Sequence, residues 1–239
     1  MKRQVFYSFH YANDSWRVQQ IRHIGVFDGS PLLSANKWEE IKRTGESNVK
    51  KWINDNLRMR SCTIVLIGEE TSNRKWVKYE IEQSWRMGKG VVGLYIHNLK
   101  DSNGKGSNKG KNPFRGIIID GVDLEAVVPV YDPPDTIYSS AYLNIQNNIE
   151  GLVENGISIR NAYESQKSLV ASKPVTCDNS NIVTALATAS VVILAGLAVY
   201  AYLNKRHDGA TAYHCPFCGT LVPAKNSRCP VCHSYLKYR

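Results

Sequence analysis

Long apolar runs are missing from the start of the chain. The opening MKRQVFYSFHYANDSW has basic residues but no stretch that would serve as a signal peptide and no small-residue cleavage site, so export by that route is not expected. Cysteine is scarce outside one place. Of six, four crowd together near the C-terminus while Cys62 and Cys177 stand alone, which is not the framework of a disulfide-stapled secreted domain and favours a reducing compartment. There is no G-K-[ST] phosphate loop. The Gly-rich stretch Asp101 to Lys111, DSNGKGSNKGK, lacks it and reads as a solvated loop. There is no G-x-G-x-x-G either, which disfavours hydride transfer from a dinucleotide. Charge is absent altogether between Asp178 and Lys205.

What is present is enough for one ordinary domain and an appendage. The 239 residues are 43% hydrophobic and 21% charged, with a mean hydropathy of −0.33, the composition of a globular protein rather than a disordered one. A net charge of +9 raises the question of nucleic acid, and its location answers it. Residues 1–181 hold 24 Lys and Arg against 20 Asp and Glu, whereas residues 204–239 hold six against one. The larger part is close to neutral.

Gln4 to Phe9 is a β-branched and aromatic run, followed by a polar stretch and then by Trp16, Val18, Ile21 and Ile24 at helical spacing. Gly29 and Pro31 forbid a continuous helix from Gly25 to Asn36, and Val49, Ile53 and Leu57 mark the helix that follows. Cys62 to Ile67, CTIVLI, is apolar at nearly every position, as expected of a parallel strand buried on both faces. Thr71 to Asn73 offers caps for a helix through Trp76, Val77, Ile81 and Trp85 that ends at Gly88, and Val91 to Ile96 is strand again. Ile117 to Ile119 and Val127 to Tyr131 are further strand candidates, and Tyr142, Ile145, Ile149 and Leu152 form a helical core stripe. Strand alternating with helix over short connections predicts an α/β fold with a flavodoxin-like parallel sheet.

Ile182 to Leu203 is uncharged over a length that matches a hydrocarbon core of about 30 Å, with Tyr200 and Tyr202 near its end and Lys205 and Arg206 beyond. This predicts one transmembrane helix. Ala185 and Ala189 would let two such helices approach closely, a route to self-association. Cys215, Cys218, Cys229 and Cys232 form two C-x-x-C pairs separated by ten residues, the donor set of a structural Zn²⁺ with no coordination site left open for water. The module resembles a zinc ribbon of the C-P-x-C-G type. Four thiolates and one Zn²⁺ also lower the positive charge of this end, which makes nucleic acid an unlikely partner. The expected organisation is a domain over 1–160, a linker over 161–181, a membrane helix over 182–203 and a zinc ribbon over 204–239.

In a parallel sheet the ligand crevice lies at the carboxyl ends of the strands, where Ser8, Phe9 and His10 follow the first strand and Gly68 to Thr71 follow CTIVLI. Glu80 lies in the next helix, with Trp76 one turn earlier on the same face. Charge alone does not single it out from Glu82.

Here several motifs fall in one order. V-F-Y-S-F-H at Val5 to His10, V-L-I-G followed by W-V-K-Y-E at Trp76 to Glu80, and N-P-F at Asn112 to Phe114 resemble TIR domains (Toll/interleukin-1 receptor type), nearest to the TIR-like ThsB type of bacterial Thoeris antiphage defence. The resemblance covers roughly residues 1–160 and not the membrane segment or the cysteine cluster. It implies activity on NAD⁺ at the nicotinamide–ribose bond, with Glu80, the glutamate of W-x-x-x-E, as the catalytic residue. It also implies a cyclic ADP-ribose-type signal, made on phage infection, that activates a separate NAD-depleting effector. Phe6, Phe9 and Trp76 are the implied aromatic walls, and Ser8, His10 and Asn112 the implied polar contacts. Asp28 and Trp38 fall where TIR proteins carry a loop over the site. His10 as a general base stands beside its commoner role as a structural hydrogen-bonder. Many TIR domains only bind other TIR domains, so the rival expectations are a non-catalytic membrane adaptor and an oligomeric effector that disrupts the bilayer. The first expectation is a single-pass membrane protein with its TIR domain in the cytoplasm. The side on which the ribbon lies stays open.

Overall fold

The computed structural model describes residues 2–29, 35–135, 140–171, 213–214 and 221–222. By internal contacts the chain forms two units, Met1–Pro133 with Ala141–Asn161, and Pro134–Ser140 with Ala162–Arg239.

The first unit is built on five parallel strands. In chain order the elements are β1 (Gln4–Ser8), α1 (Tyr11–His23), β2 (Asp28–Gly29), α2 (Ala35–Arg43), α3 (Glu46–Arg58), β3 (Cys62–Ile67), α4 (Lys75–Arg86), β4 (Gly90–Tyr95), β5 (Ile118–Ile119), β6 (Val122–Asp123), α5 (Leu124–Val127), β7 (Val130–Tyr131) and α6 (Ala141–Ala171). The sheet order is β2-β1-β3-β4-β7, with every neighbouring pair parallel. This is the flavodoxin-like order, and it reverses direction between β1 and β3. The β3 run is buried at all six positions, because helices cover both of its faces.

Period-two alternation sorts the side chains. Val5, Tyr7, Ile64, Leu66, Val92 and Leu94 form one face with Val18 and Ile21 of α1 and Ile145, Ile149 and Val153 of α6. Each such Leu or Ile taken out of water contributes about 1.5–3 kcal/mol. Two glycines let α6 lie directly on β4. A Cβ at Gly90 would come within 2.9 Å of the Ile157 backbone, and one at Gly156 within 2.3 Å of the Val92 side chain. On the opposite face Phe6 packs with Val49, Ile53 and Leu57 of α3.

Several expectations need adjustment. Thr71 does not cap α4: its hydroxyl accepts from the Gly68 N–H at 2.9 Å and donates to the Leu66 carbonyl, closing a 3₁₀ turn over Thr71–Asn73, while Arg74 is the N-cap residue. Ile118–Ile119 pairs with Val122–Asp123 in a separate antiparallel ribbon, not in the main sheet. Val127 ends a short helix, and only Val130–Tyr131 joins the sheet. The stripe around Ile145 belongs to a helix that continues to Ala171. The 101–111 loop is exposed at most positions, as expected, and is held at two points, where Arg17 donates to the Lys105 carbonyl and Gly110 packs on the Gly68 carbonyl.

In the second unit β8 (Tyr213–His214) pairs antiparallel with β9 (Leu221–Val222). Among the described residues no helix is long and apolar enough to cross a membrane, and no group of His, Cys, Asp or Glu is arranged to hold a metal. The expected membrane helix at 182–203 and the ligand set Cys215, Cys218, Cys229 and Cys232 lie outside the described residues.

Candidate active site

A cleft of about 420 Å³ opens on the α3 and α4 side of the sheet, at the carboxyl end of β1. That volume lies within the usual range for small-molecule sites. Its wall takes Phe6, Phe9, His10 and Tyr11 from β1 and the start of α1, Trp38, Glu39 and Lys42 from α2, Trp52 from α3, and Asn73, Arg74, Lys75, Trp76 and Glu80 from α4 and the turn before it. The place follows from topology. Where the strand order reverses, the connections leaving β1 and β3 diverge and a crevice opens between them.

Glu80 is 7% exposed and is the carboxylate at the bottom of this wall. It is there because α4 presents Val77, Ile81 and Trp85 to the sheet, which carries Glu80 inward on the same side of the helix. The Ser8 hydroxyl donates to Glu80 Oε2 at 2.5 Å. One turn later the Ser84 hydroxyl donates to the Glu80 carbonyl at 2.6 Å and lies 2.6 Å from the Thr63 hydroxyl of β3. The helix is therefore bonded to the sheet beside its one buried acid. Burial pushes the Glu80 carboxyl up to about 8, and the Ser8 hydrogen bond pulls the other way. At neutral pH the free carboxyl is mostly protonated, and a cation brought into the cleft favours its ionised form.

Aromatic rings make up much of the rest. Trp38 stands edge-on to Trp52 at 5.9 Å and to Trp76 at 6.5 Å, Trp76 meets Tyr79 at 6.1 Å, and Phe9 lies 5.7 Å from Tyr11. The cations of the wall are paired: Lys42 with Glu39 at 2.5 Å, Lys75 with Glu46 at 2.5 Å, and Arg74 with Glu70. His10 presents an Nδ1 that is buried, makes no hydrogen bond and lies 3.8 Å from a Glu70 oxygen. Burial lowers its basicity, and the Arg74 guanidinium adds to that.

Of the residues singled out by sequence, Phe6, Phe9, His10, Trp76 and Glu80 share the cleft wall and Ser8 reaches it through Glu80. Asn112 is placed elsewhere. Its side-chain oxygen accepts from the Phe114 N–H at 2.9 Å, and this turn seats the fully buried Phe114 against Gly93 of β4. The N-P-F motif thus packs the sheet. Trp38 is in the wall, whereas Asp28 belongs to the edge strand β2.

Sequence reasoning missed Arg74, Trp52 and Asp14, and placed Glu70 only as part of the Gly68–Thr71 stretch at the crevice. Asp14, 2% exposed on α1, lies so close to Gly68 that a Cβ there would come within 2.3 Å of its carboxylate. Burial pushes it up to about 6, against the pull of Arg17 at 3.8 Å. The spacing Asp14–Arg17 was a visible signal of an ion pair, but nothing in the sequence marked it as buried.

Residues 6–101 match the family model described as Thoeris protein ThsB, TIR-like domain. A protein of Bacillus cereus (strain MSX-D12) that bears the provisional name cyclic ADP-D-ribose synthase ThsB1 is 39% identical over 119 residues, which is 48% of this chain. The chain spans 62% of the length of that relative. Residues 6–101 run from β1 through β4, so Ser8, His10, Arg74, Trp76 and Glu80 all fall inside the stretch that is similar to a ThsB TIR-like domain, and Asn112 and residues 161–239 fall outside it.

Proposed function

We propose that the first unit cleaves NAD⁺ at the nicotinamide–ribose bond and closes the ADP-ribosyl group into a cyclic signal used in antiphage defence. One observation carries this reading: a buried carboxyl, Glu80, held by Ser8 at the floor of an aromatic cleft. The name of the Bacillus cereus relative supports the product class.

The chemistry suits one carboxylate. The bond to be broken already carries positive charge on the nicotinamide nitrogen, so the ring leaves as a neutral molecule with the bonding electron pair and no general acid is required. What remains is an oxocarbenium-like ribosyl centre, which an adjacent anion stabilises most in a water-poor site. Glu80 ionises as the cationic substrate displaces water, and Ser8 keeps the oxygen in place. The Trp38, Trp52 and Trp76 rings offer faces and edges for a planar heterocycle.

The remaining segments enter the same proposal. The uncharged run 182–203 anchors the chain in a membrane, with the TIR-like unit on the cytoplasmic side. The four cysteines hold one structural Zn²⁺ by the chemistry of the donor set, and β8 and β9 flank the first C-x-x-C pair in the chain. Self-association, and a separate effector that answers the signal, complete the reading.

The test is mass spectrometry of NAD⁺, nicotinamide and ADP-ribose isomers in cells carrying the intact chain or Glu80→Ala, with and without phage. A new isomer on infection that vanishes with Glu80→Ala supports the reading. An unchanged nucleotide pool in both, under phages that the intact chain restricts, removes it in favour of a non-catalytic adaptor.

A further inference from the structure

Cyclisation on the ribosyl centre releases a proton, which needs an acceptor in the cleft. When an adenosine hydroxyl attacks, its oxygen forms a bond to the ribosyl carbon as the carbon–nicotinamide bond is lost, and the O–H proton must go to a base. If a ring nitrogen attacks instead, the proton leaves from the exocyclic amine. Glu80 is needed as the anion beside the cation. Among the other groups of the described wall, Lys42, Arg74 and Lys75 are cationic donors and Glu39 is tied to Lys42.

Resting on the NAD⁺ reading, we infer that His10 is the proton acceptor of the ring-closing step and that Glu70 is its positioning residue. The backbone makes this geometry. Phe6, Ser8 and His10 alternate onto one side of β1 and its continuation, which places the imidazole on the same wall as Glu80. His10 is the N-cap residue of α1, its carbonyl accepts from the Asp14 N–H at 3.1 Å, and its side chain makes no capping bond. The ring is thus fixed at its root and unspent at its tip. Nδ1 is buried without a partner, 3.8 Å from Glu70 Oε2, which leaves Nε2 as the nitrogen that serves the cleft. When Nε2 takes the proton, Nδ1–H becomes half of an imidazolium, and the Glu70 carboxylate, itself held by Arg74, stands beside it to stabilise the new charge. The two charged groups that bear on the ring therefore oppose each other. Burial first and Arg74 after it keep the resting imidazole neutral and able to accept, and Glu70 is the carboxylate placed to steady the protonated form. The proton then passes to water as the product leaves.

The test uses the full-length chain in lysates of phage-infected cells, assayed with added NAD⁺ between pH 5 and 9 for nicotinamide and for cyclic and linear ADP-ribose. His10→Gln is expected to lower cyclic product by a hundredfold or more and to remove the lower of two acid-side ionisations, leaving the higher one that belongs to Glu80. Glu70→Gln is expected to retain most of the rate and move the lower acid-side ionisation to lower pH, because an anion that favours the imidazolium is gone. A His10→Gln protein with unchanged rate and profile, beside an inactive Glu80→Gln, overturns the inference and leaves the NAD⁺ reading standing. If His10→Gln does not fold, judged by its melting curve, Glu70→Gln decides, and a lower acid-side ionisation that stays in place overturns the inference. An intact chain that consumes no NAD⁺ overturns both.

Discussion

The two faces of the sheet follow different rules. On the α1 and α6 side the sheet is covered by an apolar cluster, from Val5 and Tyr7 across Ile64, Leu66 and Leu94 to Ile145 and Ile149, with the buried polar residues of those helices being Asp14, Arg17, Asn144 and Arg160, and the backbones approach until only glycine fits at 90 and 156. On the α3 and α4 side the same strands carry Ser8 and Thr63, the covering helix carries Glu80 and Ser84, and all four are buried. One face is organised for stability. The other gives up apolar burial to hold a carboxyl in a place where water would not leave it charged.

The sharpest way to break that contrast is Glu80→Gln. It should reduce NAD⁺-derived product by at least about a hundredfold, the cost of losing transition-state charge stabilisation. It should also stabilise the fold at neutral and alkaline pH. Glu80 is raised from an ordinary carboxyl value to about 8, so its contribution is fully present below about pH 4.5 and is lost as pH rises through 8. A melting series from pH 5 to 9 should show the parent falling by several degrees relative to the variant across that window. The converse experiment is Ile64→Ala on the apolar face, where a fully buried side chain is removed. A loss of about 2–5 kcal/mol in denaturant unfolding is expected, with turnover per folded molecule unchanged.

Smaller effects sharpen the comparison within the polar face. Trp38→Ala removes one ring from the cleft wall while leaving Glu80 and Ser8 bonded, so KM for NAD⁺ should rise several-fold with a smaller change in kcat. Asn112→Ala should leave KM unaltered and cost about 1 kcal/mol of stability through the lost bond to the Phe114 N–H. A tenfold rise in KM for that variant would return Asn112 to the site.

Much of the central fold was legible because buried parallel strands leave a plain trace. CTIVLI is β3 to the residue, and the spacing of Val49, Ile53 and Leu57 is the buried stripe of α3. The two-residue strands β2 and β7 were harder, since two residues carry no period. Within the site, Glu80 and Trp76 were legible through a motif on one helix. Arg74 was not, and Glu70 was only as one of the Gly68–Thr71 stretch, because both act through a turn whose geometry comes from Thr71 bonding back to β3, a contact that propensity does not encode. Asn112 is the opposite case, a motif position whose side-chain oxygen accepts from the nearby Phe114 N–H.

The hydroxyl pair Ser84–Thr63 has a consequence for how such a protein diversifies. It fastens the helix that bears Glu80 to the central strand, so the floor of the cleft is inherited with the sheet itself. The mouth, by contrast, is furnished by α2 and by the turn from Glu70 to Arg74. Substitutions at the mouth can therefore reshape the opening of the cleft while the buried carboxyl at its floor keeps its place.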